Sequence, residues 1–327
     1  MGMRDAAKRV RVQVLAASLM TAATLAPISE AAAAGTGPVA ASSGFTAVGE
    51  LLGVAAVSAR NSWAVGFTGS FSGAHASLIV HWDGTAWRRV FSPGSRGGLL
   101  IAVAATSAGN AWAVGTAGSK SLILHWTGTM WRRAVSPSLP GGDELIGAAA
   151  TSARDAWAVG CTGCTPTFTP RTRPVILRWN GSTWKRVPSP VAGGVILDGV
   201  AATSASNAWA VGFALDTPSP TSVILHWNGT AWRRVSSPDS RGGLLQGVAA
   251  TSARDAWAVG FPVGPKSLIL HWNGAAWKLV PGLSPLAVLA GVAATSARDA
   301  WAVGNIGSFT AAKPKTLVLH WNGSSWK

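Results

Sequence analysis

Every tryptophan in the chain belongs to one of six triplets, and this repetition limits the fold more than any other feature. The first members are Trp63, Trp112, Trp157, Trp209, Trp257 and Trp301, spaced by 49, 45, 52, 48 and 44 residues. The second members are Trp82, Trp126, Trp179, Trp227, Trp272 and Trp321. The third follow five residues later, at Trp87, Trp131, Trp184, Trp232, Trp277 and Trp326. The surrounding residues repeat as well. Gly-Val-Ala-Ala-Thr-Ser leads into Asp-Ala-Trp-Ala-Val-Gly. A variable stretch leads to Leu-Ile-Leu-His-Trp-Asn-Gly-x-x-Trp, then basic residues and a Ser/Pro/Gly linker. With 18 Trp and no Tyr, the composition is that of one short unit copied six times.

Each unit reads as four short strands. Strand a is the small-residue run, as at 247–252, and strand b is Ala-Trp-Ala-Val-Gly, as at 256–260. Strand c is the run ending in His-Trp, as at 267–272, and strand d starts at the third Trp. In strand c, Leu268, Leu270 and Trp272 share one face, and Ile269 and His271 the other. The c–d connection is Asn-Gly or Asp-Gly in five units and Thr127-Gly128 in the sixth. That pair predicts a two-residue type I′ hairpin. Strand a is alanine-rich but too short between turn residues to be a helix.

Four antiparallel strands every 44–52 residues, six times over, predict an all-β, six-bladed β-propeller across residues 49–327. Strand a would line the axis and the tryptophans would pack between blades. A ring of seven blades, or a truncated ring, is the alternative. A linear solenoid needs atypical caps, and the first and last units resemble the middle ones. Residues 35–48 have extended character and are placed to supply strand d of the sixth unit, closing the ring.

Residues 1–34 read as a signal peptide. Arg4, Lys8, Arg9 and Arg11 form a basic start, 12–28 is apolar, and Ala31–Ala34 offers small residues for cleavage. No later apolar run reaches the ~20 residues of a membrane helix. The expectation is a secreted, extracellular monomer without a transmembrane segment after cleavage. Disorder and a disulfide-framework fold are excluded by the apolar composition and by a cysteine count of two.

The string Asp-Ala-Trp-Ala-Val-Gly…Leu-Ile-Leu-His-Trp-Asn-Gly-x-x-Trp resembles the Trp-rich propeller repeats of secreted bacterial proteins. The resemblance covers about residues 50–327 and implies the propeller fold without an assigned activity. The turn at 179–184 also resembles a shortened Asp-box of sialidase-type propellers. That family works through a Tyr nucleophile, and this chain has none, so its mechanism does not carry over. Kelch and WD40 signatures are not matched.

The polar residues follow the repeat. Asp155, Asp255 and Asp299 share one a–b turn position with Asn61, Asn110 and Asn207, as expected of groups accepting hydrogen bonds in a turn. Asp83 is a hairpin residue. Six acids remain beyond residue 34: Glu50, Asp143, Glu144, Asp198, Asp216 and Asp239. No catalytic pair is assigned among them and the chain is not read as an enzyme. His81, His125, His226, His271 and His320 each precede the second Trp, with Arg178 in their place in unit three. One per blade is too far apart to share a metal, so no metal or other cofactor is expected, and each His is read as a structural hydrogen-bonding group. Cys161 and Cys164 are read as a local disulfide stapling a loop.

The net charge is +15. Ten of the 27 basic residues follow the third Trp on strand d, at Arg88, Arg89, Arg132, Arg133, Lys185, Arg186, Arg233, Arg234, Lys278 and Lys327. A rim of charge protects edge strands and has no concentrated patch for specific nucleic-acid binding. The b–c loops vary most between units and are the expected ligand-binding face, with Phe71, His75, Phe168, Arg171, Arg173, Asp216 and Phe309 as candidates. A glycan or anionic cell-envelope polymer is the expected partner of a non-enzymatic binding module. A glycan-active hydrolase or lyase using loop residues, or a structural envelope protein, are the alternatives.

Overall fold

The computed structural model describes residues 24–25, 45–70, 74–94, 96–137, 139, 142–164, 171–214, 220–238, 242–262, 267–281, 287–306 and 315–327. It is a β-propeller of six antiparallel blades, with no helix among the described residues. Blade one is built from Gly49–Ser58, Asn61–Gly69, His75–Trp82 and Trp87–Val90, hydrogen-bonded in chain order. Blades two to five repeat that order, and blade six has three named strands. Its fourth position is started by a bridge between Trp321 and Trp326 and by paired backbone bonds between His320 and Lys327.

The first strands are ten residues long, from Gly243 to Ser252 in blade five, and start earlier than the alanine-rich motif. The preceding Leu-Leu-Gln joins the strand by pairing with the end of the second strand, Gly243 with Pro262. Each first strand carries a register shift between its conserved Leu and the residue two places on, as at Leu245/Gly247. Opposite that bulge lies the glycine of Ala-Trp-Ala-Val-Gly. A Cβ on Gly260 would sit 2.1 Å from the Leu244 carbonyl oxygen, and on Gly66 1.9 Å from that of Glu50. The motif therefore ends in glycine because the backbones touch there.

The hairpins differ from a type I′ turn. Trp82 pairs with Trp87, so the loop has four residues, and Asp83 N–H donates to Ala86 O. Among the described residues no non-glycine has positive φ, whereas Gly84 has φ 95°. The Asp83 side chain supplies what a second positive φ would: Oδ1 accepts from the N–H groups of Thr85 and Ala86. These bonds and one from Arg88 hold the Asp83 carboxyl well below its usual range, the Thr85 hydroxyl being the largest cause.

Tryptophan joins the blades. Trp63 of blade one meets Trp126 and Trp131 of blade two at 4.8 and 5.1 Å, the second pair edge-to-face at 88°. The same triad recurs for Trp112, Trp157, Trp209 and Trp257, each fully buried against the next blade's hairpin tryptophans. Five apolar clusters result, each shared by two successive blades. The third-strand tryptophan also donates from Nε1 to an alanine carbonyl in its own blade's first turn, as in Trp126 to Ala108 O at 2.9 Å.

Among the described residues blade six makes no sixth triad: Trp301 is 42% exposed and stacks on His320 of its own blade. Residues 35–44 of the expected closing strand lie outside the described residues. Of the remainder, Val48 O accepts from Gly69 N–H and Phe45 packs on Leu78 and Val80, so the segment joins blade one. Thr24–Leu25, inside the expected leader, pairs with Ala55–Ala56.

Truncating Trp257 to Ala should cost about 3–5 kcal/mol, as for a fully buried aromatic. Trp301→Ala should cost less than half of that. Denaturant unfolding of both variants measures this, and equal losses would mean that Trp301 is packed like its five equivalents.

Candidate functional site

Alternating strands divide the connections between two faces. One carries the short first turns and the Trp hairpins; the other carries the long loops and linkers. The first face is occupied by a repeated polar network. In blade two, Asn110 Nδ2 donates to Thr106 Oγ1, and Asn110 Oδ1 lies 2.9 Å from His125 Nε2. His125 stacks on Trp112 at 3.9 Å. Blade four repeats this with Thr203, Asn207 and His226. In blades five and six the acceptor is Asp255 or Asp299, each 2.7 Å from His271 or His320. Burial pushes His125 and His226 down, favouring the neutral ring that faces a neutral amide. Hydrogen bonds from Thr295 and then His320 lower the Asp299 carboxyl.

Two blades depart from the network for legible reasons. In blade three Arg178 replaces His, pairs with Asp155 at 2.8 Å, reaches Ala205 O of blade four and covers the rings of Trp157 and Trp227. In blade one Val57 stands where the others have Thr. Asn61 Oδ1 and His81 Nε2 have no partner there.

The loop face is closed at its centre. Leu52, Leu99, Ile101, Ile146, Ile196 and Leu244 from five blades meet Phe67 and Phe213 in one buried cluster. The axis is thus filled by larger residues than the Gly, Ala and Thr expected there. Cys161 occupies the repeat position of Phe67 and Phe213. It is bonded to Cys164, with Cα atoms 5.9 Å apart, and both sulfurs are buried in the plug.

Glu144 sits at the repeat position of Leu99, Ile196 and Leu244, and so reaches into this plug. Its carboxylate and both sulfurs lie within 4.8 Å of one another. While the sulfurs are bonded to each other neither is a thiolate, so the trio lacks the donors of a zinc site. Glu144 keeps some solvent contact but lies deep in the molecule, and burial pushes its carboxyl to about 7. Asp198 and Gln246, also buried, share a different first-strand position, one residue after the repeat Leu, on blades four and five. Aligning the six first strands reveals these two as polar residues in an apolar column and puts Glu144 in a column whose other acid, Glu50, is exposed, a signal that a count of acids misses.

Outward from the plug, a cleft of about 510 Å³ opens between blades two and three, lined by Lys120, Ser121, Arg133, Ser136, Leu139 and Asp143 among others. Asp143 is buried and accepts from Ser121 N–H at 3.2 Å, and Ser121 Oγ donates to Ser136. Lys120 and Arg133 are exposed at its edge. Of the loop candidates, His75 lies against Phe67 at 6.2 Å on blade one. Arg171 and Arg173 are exposed on blade three. Phe71, Phe168, Asp216 and Phe309 lie outside the described residues. The structure therefore splits the described candidates between blade one (His75) and blade three (Arg171 and Arg173), and the cleft between blades two and three includes Lys120, which the loop comparison did not single out.

No protein-family model matches the chain, and no curated protein matches it. Solved structures do. YCF48 bound to a D1 peptide aligns over 87% of this chain and 83% of that chain, with TM-score 0.56 and 18% identity. A fucose-specific lectin from Aleuria aurantia aligns over 86% and 94%, at 0.53 and 10%. A luciferin-regenerating enzyme aligns over 88% and 95%, at 0.50 and 13%. At such identities the likeness is one of fold. The same scaffold carries a lectin, a peptide-bound protein and an enzyme.

Glu144 gives a pH test. A carboxyl raised in the fold stabilises the native state fully below its unfolded value of 4.5. That contribution is lost as the pH rises through about 7. Glu144→Gln stays neutral and should be more stable than the parent by about 2–3 kcal/mol at pH 8, with no difference of that size at pH 4. Parallel stability profiles from pH 4 to 8 would contradict the buried placement.

Proposed function

We propose that the protein is an exported, non-enzymatic propeller whose loop face binds a glycan or an anionic polymer of the cell envelope. The observation that carries this reading is the cleft at Lys120 and Arg133 on the variable face of a scaffold rimmed with exposed cations. Arg88, Arg132, Arg186, Arg233 and Lys278 are all exposed on fourth strands. Spread charge of this kind attracts a long polyanion from any side, and the cleft's hydroxyls and carboxylate suit the hydroxyl groups of a sugar. Lectin and peptide-bound propellers among the structural neighbours support a binding role in general.

The described carboxylates other than the exposed Glu50 argue in the same direction. Asp155, Asp255 and Asp299 are engaged in the turn network, Asp83 in its hairpin, and Asp143 with Ser121. Glu144 and Asp198 lie in or beside the central plug. A glycosidase needs two carboxyls flanking an accessible bond, and these are not arranged that way.

Binding is tested with a glycan array and with pull-down on purified anionic wall polymers. Lys120→Ala and Arg133→Ala should each weaken binding about 5- to 30-fold, the worth of one charged contact, and added salt should weaken it further. Turnover of any arrayed glycan would overturn the non-enzymatic reading. Unchanged affinity in both variants would remove the cleft as the site.

A further inference from the structure

The plug has no structural use for the Glu144 carboxyl. Leu99, Ile196 and Leu244 fill the same repeat position on blades two, four and five. Burial raises the Glu144 carboxyl with no hydrogen bond or cation opposing it. What stands beside it is sulfur. Glu144 pairs with Cys161 across the first two strands of blade three, so their side chains are neighbours on one face. The turn after Cys161 brings Cys164 back to the same place. Gly163 takes φ 62° there, its N–H donates to Gly142 O at 2.9 Å, and its carbonyl accepts from Thr172 Oγ1 at 3.0 Å. These two bonds tie the turn to the residues just before the first and third strands of blade three. They hold the backbone of both cysteines in position without help from the sulfur–sulfur bond.

The chain is made with two thiols, so a dithiol form precedes the disulfide. In that form three donor groups are gathered, since the carboxylate and both sulfurs lie within 4.8 Å of one another. The cysteines are three residues apart in sequence, as in a chelating Cys-x-x-Cys pair. Zinc–sulfur bonds of about 2.3 Å at a tetrahedral angle put two sulfurs roughly 3.8 Å apart, which the 5.9 Å between the two Cα atoms accommodates. Glu144 supplies the third donor, and its remaining solvent contact leaves a fourth position to water. Two thiolates select zinc-type ions over Mg2+ and Ca2+, which take oxygen ligands. Disulfide exchange with a protein substrate is the competing use of such a pair, and it needs a sulfur that the substrate can reach. Cys161 and Cys164 are 0% and 1% exposed. We propose that the dithiol form of Cys161 and Cys164 binds, together with the Glu144 carboxylate, one thiophilic divalent cation of the zinc type, in a site that the disulfide form switches off. Binding releases the two thiol protons. Closing the disulfide passes two electrons to an oxidising disulfide, which takes up two protons and becomes a dithiol, and the ion leaves with its sulfur donors lost.

The test compares the full chain, produced in a reducing cytoplasm and purified without oxygen beside a phosphine reductant, with the same chain after oxidation. Circular dichroism follows the fold of both. The dithiol chain should bind one equivalent of Co2+ with a thiolate-to-cobalt charge-transfer band that Zn2+ displaces, and Zn2+ should raise its melting temperature by several degrees. The oxidised chain should show neither effect, and Cys164→Ser should lose both. Glu144→Gln should keep the fold and weaken Zn2+ binding, read by competition against the cobalt band, by at least the ~10- to 100-fold that loss of a mere supporting group costs. A folded dithiol chain with no thiolate band would overturn the proposal. So would equal Zn2+ affinity in Glu144→Gln, or the same binding after oxidation. Loss of the propeller on reduction would overturn it as well, because the two backbone bonds would then not hold the cysteines in place.

Discussion

The edge-to-face contact between a second-strand tryptophan and the hairpin tryptophan of the next blade is the interaction on which the rest of the structure depends. A tryptophan ring is large enough to span the wedge between two diverging sheets, and its quadrupole favours the near-perpendicular arrangement seen in all five triads. Placing that ring sets the demands on its neighbours. The alanines on either side keep the sheets close, and the glycine after Ala-Val lets two backbones touch. The third-strand tryptophan is fixed by its own Nε1 bond to the first turn, so the hairpin presents both rings at a constant angle. The identity of so many residues in each unit follows from satisfying one contact repeatedly.

The same economy separates structure from function within the molecule. The face carrying first turns and hairpins is consumed by the Thr–Asn/Asp–His network beneath each tryptophan, and its polar atoms are largely spoken for. The loop face has no such constraint. It varies in length, carries the disulfide and the cleft, and surrounds an apolar plug that blocks the axis. A ligand on that face would meet a rigid platform edged by cations.

Much of the fold was legible in the sequence because the repeat samples the same physics six times. The strand order, the role of Trp257 and its equivalents, and the turn position shared by Asp and Asn could be read from columns. What was missed lies where pattern and packing diverge. The hairpin signal Asn-Gly fits two turn types, and the Asx bonds that decide between them depend on loop length. The extension of the first strand hides in linkers whose residues differ between units. The axial plug escaped because Leu99, Ile146 and Phe213 lie in segments read as linker or strand end. The exposure of Trp301 could not be read at all, since its repeat motif is the same in sequence as those of its buried equivalents.

The central claim, that tryptophan contacts between blades hold the propeller together, is tested most directly by a double-mutant cycle on Trp257 and Trp326. The two rings meet edge-to-face at 5.2 Å across the boundary between blades five and six. Unfolding free energies of the two single leucine variants and the double variant isolate their interaction. The account predicts a favourable coupling of about 0.5–1.5 kcal/mol, the range for a specific aromatic pair. Strictly additive losses would show that the rings contribute only buried area, and would contradict it.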